Sequence, residues 1–90
     1  MNETEFKSYL AAQGFDKTGQ SEYAPDMDNA EHTHDFGFAA LVLSGTFNLV
    51  TPEGERTLGP GDMWSLEADV PHAEKVMGDA PVTFLYGVKS

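Results

Sequence analysis

The sequence predicts an all-β barrel or sandwich preceded by one short helix, on three observations. A capping box opens the chain, with an apolar face and a glycine stop behind it. From Phe15 onward, turn residues recur at roughly ten-residue intervals, as in antiparallel sandwiches and barrels. Within that region, Ala39-Ala40-Leu41-Val42-Leu43 is apolar at every position, the texture of a strand covered on both faces.

Taken in order, Asn2-Glu3-Thr4-Glu5 has capping-box spacing, and Phe6, Tyr9 and Leu10 fall at i, i+3 and i+4 before Gly14. Residues 1–14 are therefore expected as an N-terminal helical segment and 15–90 as one barrel domain. The turn signals are Gly19-Gln20, Pro25-Asp26, Ser44-Gly45, Pro52-Glu53-Gly54-Glu55, Gly59-Pro60-Gly61-Asp62, Pro71 and Gly78-Asp79-Ala80-Pro81. Between them strands are expected at 36–43, 46–50, 56–58, 63–66, 73–77 and 82–88. The first two flank a tight Ser44-Gly45 turn, and 56–58 returns after a hairpin. The second cover over 39–43 is either the helix or another subunit. Leu41 and Leu43, on the face opposite the histidines, would form an apolar patch if left bare, which predicts a homodimer through sheet faces.

Composition narrows the function. Ninety residues suit one small domain with a working core. The absence of cysteine excludes disulfides, thiolate metal sites and a cysteine nucleophile. MNETEFKSYL lacks the basic start and apolar run of a signal peptide, and nothing approaches the roughly 20 apolar residues of a membrane span. The expectation is a cytoplasmic protein without membrane partners. Fifteen acidic against five basic residues, a net charge of -10, disfavour nucleic acid as a partner, because a phosphate backbone would be repelled. A small-molecule ligand or substrate is the expected partner.

Histidine chemistry is confined to three residues, His32, His34 and His72. In an extended segment His32 and His34 point to one side, while Glu31, Thr33 and Asp35 point to the other. Neutral imidazole ligates zinc, iron, nickel, copper and manganese. Three converging rings leave positions on the ion open for water or substrate.

The histidine pair, the apolar strand, Gly45, the Pro60-Gly61-Asp62 turn and the later Pro71-His72 together resemble the two motifs of the cupin superfamily. The first runs Gly, five residues, His-x-His, three or four residues, Glu, six residues, Gly. His32, His34 and Gly45 match it, with Asp26 at the first Gly position and Phe38 at the Glu position. The second runs Gly, five residues, Pro-x-Gly, two residues, His. Gly61 and His72 match, while Glu67 and Asp69 stand for the Pro and the second Gly. The resemblance covers about residues 20–88 and implies a double-stranded β-helix, or jelly-roll, cupin barrel with a short N-terminal helix. It also implies that His32, His34 and His72 hold a divalent transition metal ion such as iron, zinc, nickel or manganese. With Phe38 at the Glu position, the site resembles that of three-histidine cupins such as the thiol dioxygenases. Either the histidines hold the metal alone, or metal binding has lapsed and the pocket serves a ligand.

Glu74 shares the inward parity of His72. It is a candidate fourth ligand, general base or acceptor for a histidine N–H, or else a charge at the barrel mouth paired with Lys75 or solvated. Phe36, Phe38, Ala40 and Val42 share the histidine parity, with Phe47 and Leu49 on the next strand and Trp64 and Leu66 as a further wall. Phe38, Phe47, Trp64 and Glu74 are the candidate ligand-binding residues. Two functions follow: a metal-dependent enzyme (oxygenase, isomerase or hydrolase) acting on a small organic molecule, and a non-catalytic ligand-binding or sensor module.

Overall fold

The computed structural model describes residues 1–89; Ser90, the end of the expected barrel segment, lies outside the described residues. Helix α1 spans Glu3–Gln13. Asn2 caps it by accepting from the Glu5 N–H at 2.8 Å, and Glu5 accepts from the Asn2 N–H at 2.9 Å. These two bonds satisfy donors that a helix start leaves free. Gly14 ends the helix in the left-handed conformation.

Eight strands follow: β1 (Lys17–Tyr23), β2 (Asp28–His32), β3 (Gly37–Ser44), β4 (Thr46–Thr51), β5 (Gly54–Leu58), β6 (Met63–Leu66), β7 (His72–Met77) and β8 (Val82–Lys89). They form two antiparallel four-stranded sheets, in the orders β1-β8-β3-β6 and β2-β7-β4-β5. This is a jelly roll. The inner faces enclose a core of Ala40, Val42, Phe47, Leu49, Leu58, Trp64, Leu66, Val76, Val82 and Phe84. Strand alternation accounts for the membership: Ala40 and Val42 of β3, and Phe47 and Leu49 of β4, are pairs two residues apart.

The opposite parity of β3 has its own cover. Ala39 and Leu41 are buried with Phe6 and Leu10 of α1, with Tyr9, Phe15, Leu43, Met63 and Leu85 packed around them. The doubly apolar strand thus lies between the barrel core and the helix. Burying side chains such as Phe6 and Leu10 contributes roughly 1.5–3 kcal/mol each. Since the helix meets the need for cover, this face no longer argues for a second subunit.

Three features differ from the sequence reading. β1 and β2 were not among the expected strands, and Gly19-Gln20 lies inside β1, paired with Tyr86 and Leu85, rather than in a turn. The Tyr86 ring lies over Gly19, and a Cβ there would fall 2.8 Å from the phenolic oxygen, so this glycine serves a close approach. The third difference is at Ser44-Gly45, which joins strands of different sheets and is a corner rather than a hairpin turn. Gly45 takes φ 86°, and a Cβ would run into the Pro81 carbonyl oxygen and lie 2.8 Å from Val82 Cα. Both constraints require glycine. The hairpin expected around 52–55 is present, with Thr51 opposite Gly54.

Candidate metal centre

The three histidines converge, although they do not lie on one strand. His32 ends β2, His34 lies in the irregular segment before β3, and His72 begins β7. In the β2–β7 ladder Asn29 faces Glu74 and His32 faces His72, so three residues of β2 span two of β7. The extra residue is a β-bulge. Simple alternation would put Asn29 and His32 on opposite faces; the bulge lets both pair with residues on the inward side of β7. His34 is held by its backbone, whose carbonyl accepts the Asp69 N–H at 2.7 Å. Asp69 occupies the position where the second motif has glycine and takes φ 65°, a left-handed conformation that Asp tolerates better than most residues.

The ring centroids are 4.3 Å apart for His32 and His72, and 4.9 Å for His34 with each of the other two. One ring nitrogen from each histidine lies within 4.8 Å of the others, a grouping that could hold a metal ion. His32 Nδ1 lies 2.7 Å from the Ala30 carbonyl oxygen and His72 Nδ1 2.9 Å from that of Val70. A carbonyl only accepts, so each Nδ1 donates its hydrogen and, in the neutral ring, each Nε2 presents a lone pair. Both Nε2 atoms face Glu74 Oε1, at 3.2 Å from His72 and 3.8 Å from His32. Glu74 is 5% exposed and His72 2%. A carboxylate oxygen and two imidazole lone pairs at this separation repel unless a proton or a cation lies among them. The donor set fits a divalent ion.

Glu74 is therefore not the solvated or Lys75-paired charge that one sequence reading allowed. Its second oxygen, Oε2, accepts from Asn29 Nδ2 at 3.2 Å, which orients the carboxylate so that Oε1 faces the imidazoles. Burial, followed by the neighbouring His72 and His32, holds the His34 imidazole below its ordinary 6.5, with Glu74 and Asp35 opposing. Burial and then the Glu74 charge push the Tyr23 phenol well above the ordinary tyrosine value of 10.0.

A cavity of about 270 Å³ opens beside the cluster, lined by Ser21, Tyr23, His34, Phe36, Phe38, Leu66, His72, Glu74, Phe84, Tyr86 and Val88. Phe38 is on its wall, near Tyr86 with nearly parallel rings and centroids 6.1 Å apart. Phe47 and Trp64, expected as pocket residues, are not on the wall. They are 0% and 1% exposed and pack edge-to-face at 4.8 Å in the core. The alternation that turns them inward does not distinguish the filled part of a barrel from its cavity. Tyr23, Asn29, Phe84 and Tyr86 were missed. Tyr23 and Asn29 lie on the two polar strands that carry no apolar alternation, while Phe84 and Tyr86 belong to the expected strand 82–88 and share a parity that could have identified them.

Two antiparallel sheets closed around an aromatic cavity, with three imidazoles and a carboxylate beside it, define a jelly-roll barrel with a potential metal centre. The family model described as Cupin domain matches residues 19–88, and the chain belongs to that family. No curated protein sequence matches significantly. Among solved structures, the Cnp3 cupin domain of Schizosaccharomyces pombe superposes with a TM-score of 0.73 at 11% identity, covering 81% of this chain and 51% of that one. The DMSP lyase DddQ from Ruegeria pomeroyi DSS-3 gives 0.71 at 22% identity, covering 81% and 37%. The Cupin_2 domain of an XRE family transcriptional regulator from Enterobacter cloacae gives 0.67 at 24%, covering 81% and 79%. The chain thus spans about half the length of the first of these and little over a third of the second. At these identities the likeness shows the shared fold. Among the described residues, no helix is long and apolar enough to cross a membrane.

Proposed function

We propose that this cupin holds a divalent transition metal ion on His32, His34 and His72 and acts as a metal-dependent enzyme on a small organic molecule bound in the adjacent cavity. The observation that carries the reading is the orientation of the rings: His32 and His72 each tie Nδ1 to a backbone carbonyl and aim Nε2 at a buried carboxylate oxygen. Such backbone partners fix the tautomer and orient the ring as a ligand.

An ion bound there supplies a Lewis acid or a redox centre next to the cavity. The chain's own residues define what enters. Phe36, Phe38, Phe84 and Tyr86 favour an apolar or aromatic body, while Ser21 and the Tyr23 hydroxyl offer polar contacts. Tyr23 lines the cavity and, protonated at neutral pH as phenols are, has a hydroxyl hydrogen to offer an occupant. The cavity, about 270 Å³ and open to solvent, suits a small molecule.

Metal analysis and mass spectrometry of gently purified protein test the reading. About one iron, zinc, nickel or manganese ion per chain, lost in the triple alanine variant of the histidines, supports it. Metal-free protein that takes up none of these ions but carries a bound organic molecule would overturn it in favour of a non-catalytic binding module.

A further inference from the structure

We propose that Glu74 is the fourth, anionic ligand of the metal centre, the carboxylate being supplied from β7 because the β3 position that faces the same cavity is Phe38. The inference rests on the metal reading above and extends it to a residue outside the histidine set.

Four observations support it. Glu74 Oε1 lies 3.2 Å from His72 Nε2 and 3.8 Å from His32 Nε2, on the side to which both rings present lone pairs. At 5% exposure, the carboxylate has little water to solvate its charge. Its other oxygen is engaged by Asn29 Nδ2, which leaves Oε1 for the imidazole side. Finally, the cavity wall includes Phe38, His34, His72 and Glu74, and Glu74 is the one carboxylate among its lining residues. A divalent ion at this position would meet the negative Oε1 beside the Nε2 atoms of His32 and His72, and a single anionic oxygen offsets part of its charge.

The assignment predicts a selective effect. Oxygen donors suit manganese, whereas imidazole suffices for copper. Removing the Glu74 charge should therefore weaken manganese binding more than copper binding. A residue that only orients a ligand would weaken both alike.

The test uses the full chain, stripped of metal and titrated with manganese or copper ions alone, with folding checked by far-UV circular dichroism. In Glu74→Gln, manganese affinity is expected to fall by about 100-fold or more, at or beyond the range for loss of an orienting partner, and copper affinity by less. Infrared difference spectra of ¹³C-glutamate-labelled protein should show a carboxylate band shifted by zinc in the wild type and absent in Glu74→Gln. Adding Phe38→Glu to Glu74→Gln should restore part of the manganese affinity, since position 38 faces the same cavity. If the wild type binds metal and Glu74→Gln binds manganese as tightly with unchanged infrared bands, the Glu74 assignment is overturned and the three-histidine reading stands. A wild type that binds none of these ions overturns both.

Discussion

His32 and His72 stand opposite each other in the β2–β7 ladder with ring centroids 4.3 Å apart, forty residues apart in the chain. Their pairing depends on the bulge between Asn29 and His32, which also brings Asn29 opposite Glu74. One backbone irregularity thus aligns two imidazoles, a carboxylate and the amide that orients it. Bulges re-aim side chains in this way at barrel rims and near active sites.

Each of His32→Ala, His34→Ala and His72→Ala should lower zinc affinity sharply, and the triple variant should bind no stoichiometric zinc. Acidification should release the ion as the imidazoles protonate. Titration calorimetry at pH 7.5 and pH 5 measures both effects; equal zinc content in wild type and the triple variant would refute the site.

Metal-free protein should lose stability as pH falls through the histidine range. The folded His34 titrates below 6.5, mainly through burial. The unfolded chain therefore takes up this proton first, and stability is lost from about pH 6.5 down through the folded value. Denaturant midpoints should drop over that window less in His34→Ala than in wild type. An NMR titration placing folded His34 at or above 6.5 would contradict the prediction.

Tyr23 should resist ionisation in the folded protein. Its phenol is held up first by burial and then by Glu74. Subtracting the ultraviolet alkaline titration of Tyr23→Phe from that of wild type should leave no phenolate signal near pH 10. A difference signal with a midpoint there would show Tyr23 in contact with water and remote from the Glu74 charge.

Phe6→Ala should destabilise the protein by about 3 kcal/mol, because it empties a fully enclosed ring site between helix and sheet. Urea denaturation measures the loss, and light scattering of the same variant reports the exposed β3 face. Wild type is expected to scatter as a monomer if the helix alone covers Leu41, while Phe6→Ala should associate. A stability change under about 1 kcal/mol would mean that the helix does not act as the second cover.

The legible part of the fold follows from local rules. The capping box, the Pro52-Glu53 hairpin, and the inward parity of Ala40, Val42, Phe47 and Leu49 are set by side-chain chemistry at neighbouring positions, and they stand in the structure as expected. The two missed strands are of a different kind. Lys17–Tyr23 and Asp28–His32 are mostly exposed polar segments, paired to partners far along the chain. Their strand character comes from those ladders rather than from their own composition.

The site divides along the same line. The sequence by itself determined that three histidines are the only imidazoles available, that Phe38 denies β3 a carboxylate, and that residue 74 shares the face of residue 72. Tertiary structure decided that Glu74 is buried against two Nε2 atoms, that Asn29 steers it, and that Phe47 and Trp64 fill the core instead of the cavity. The physical reason is that alternation fixes only the side of a strand on which a residue lies. Depth within the barrel depends on a bulge and on register against strands forty or more positions away, and no local pattern encodes either.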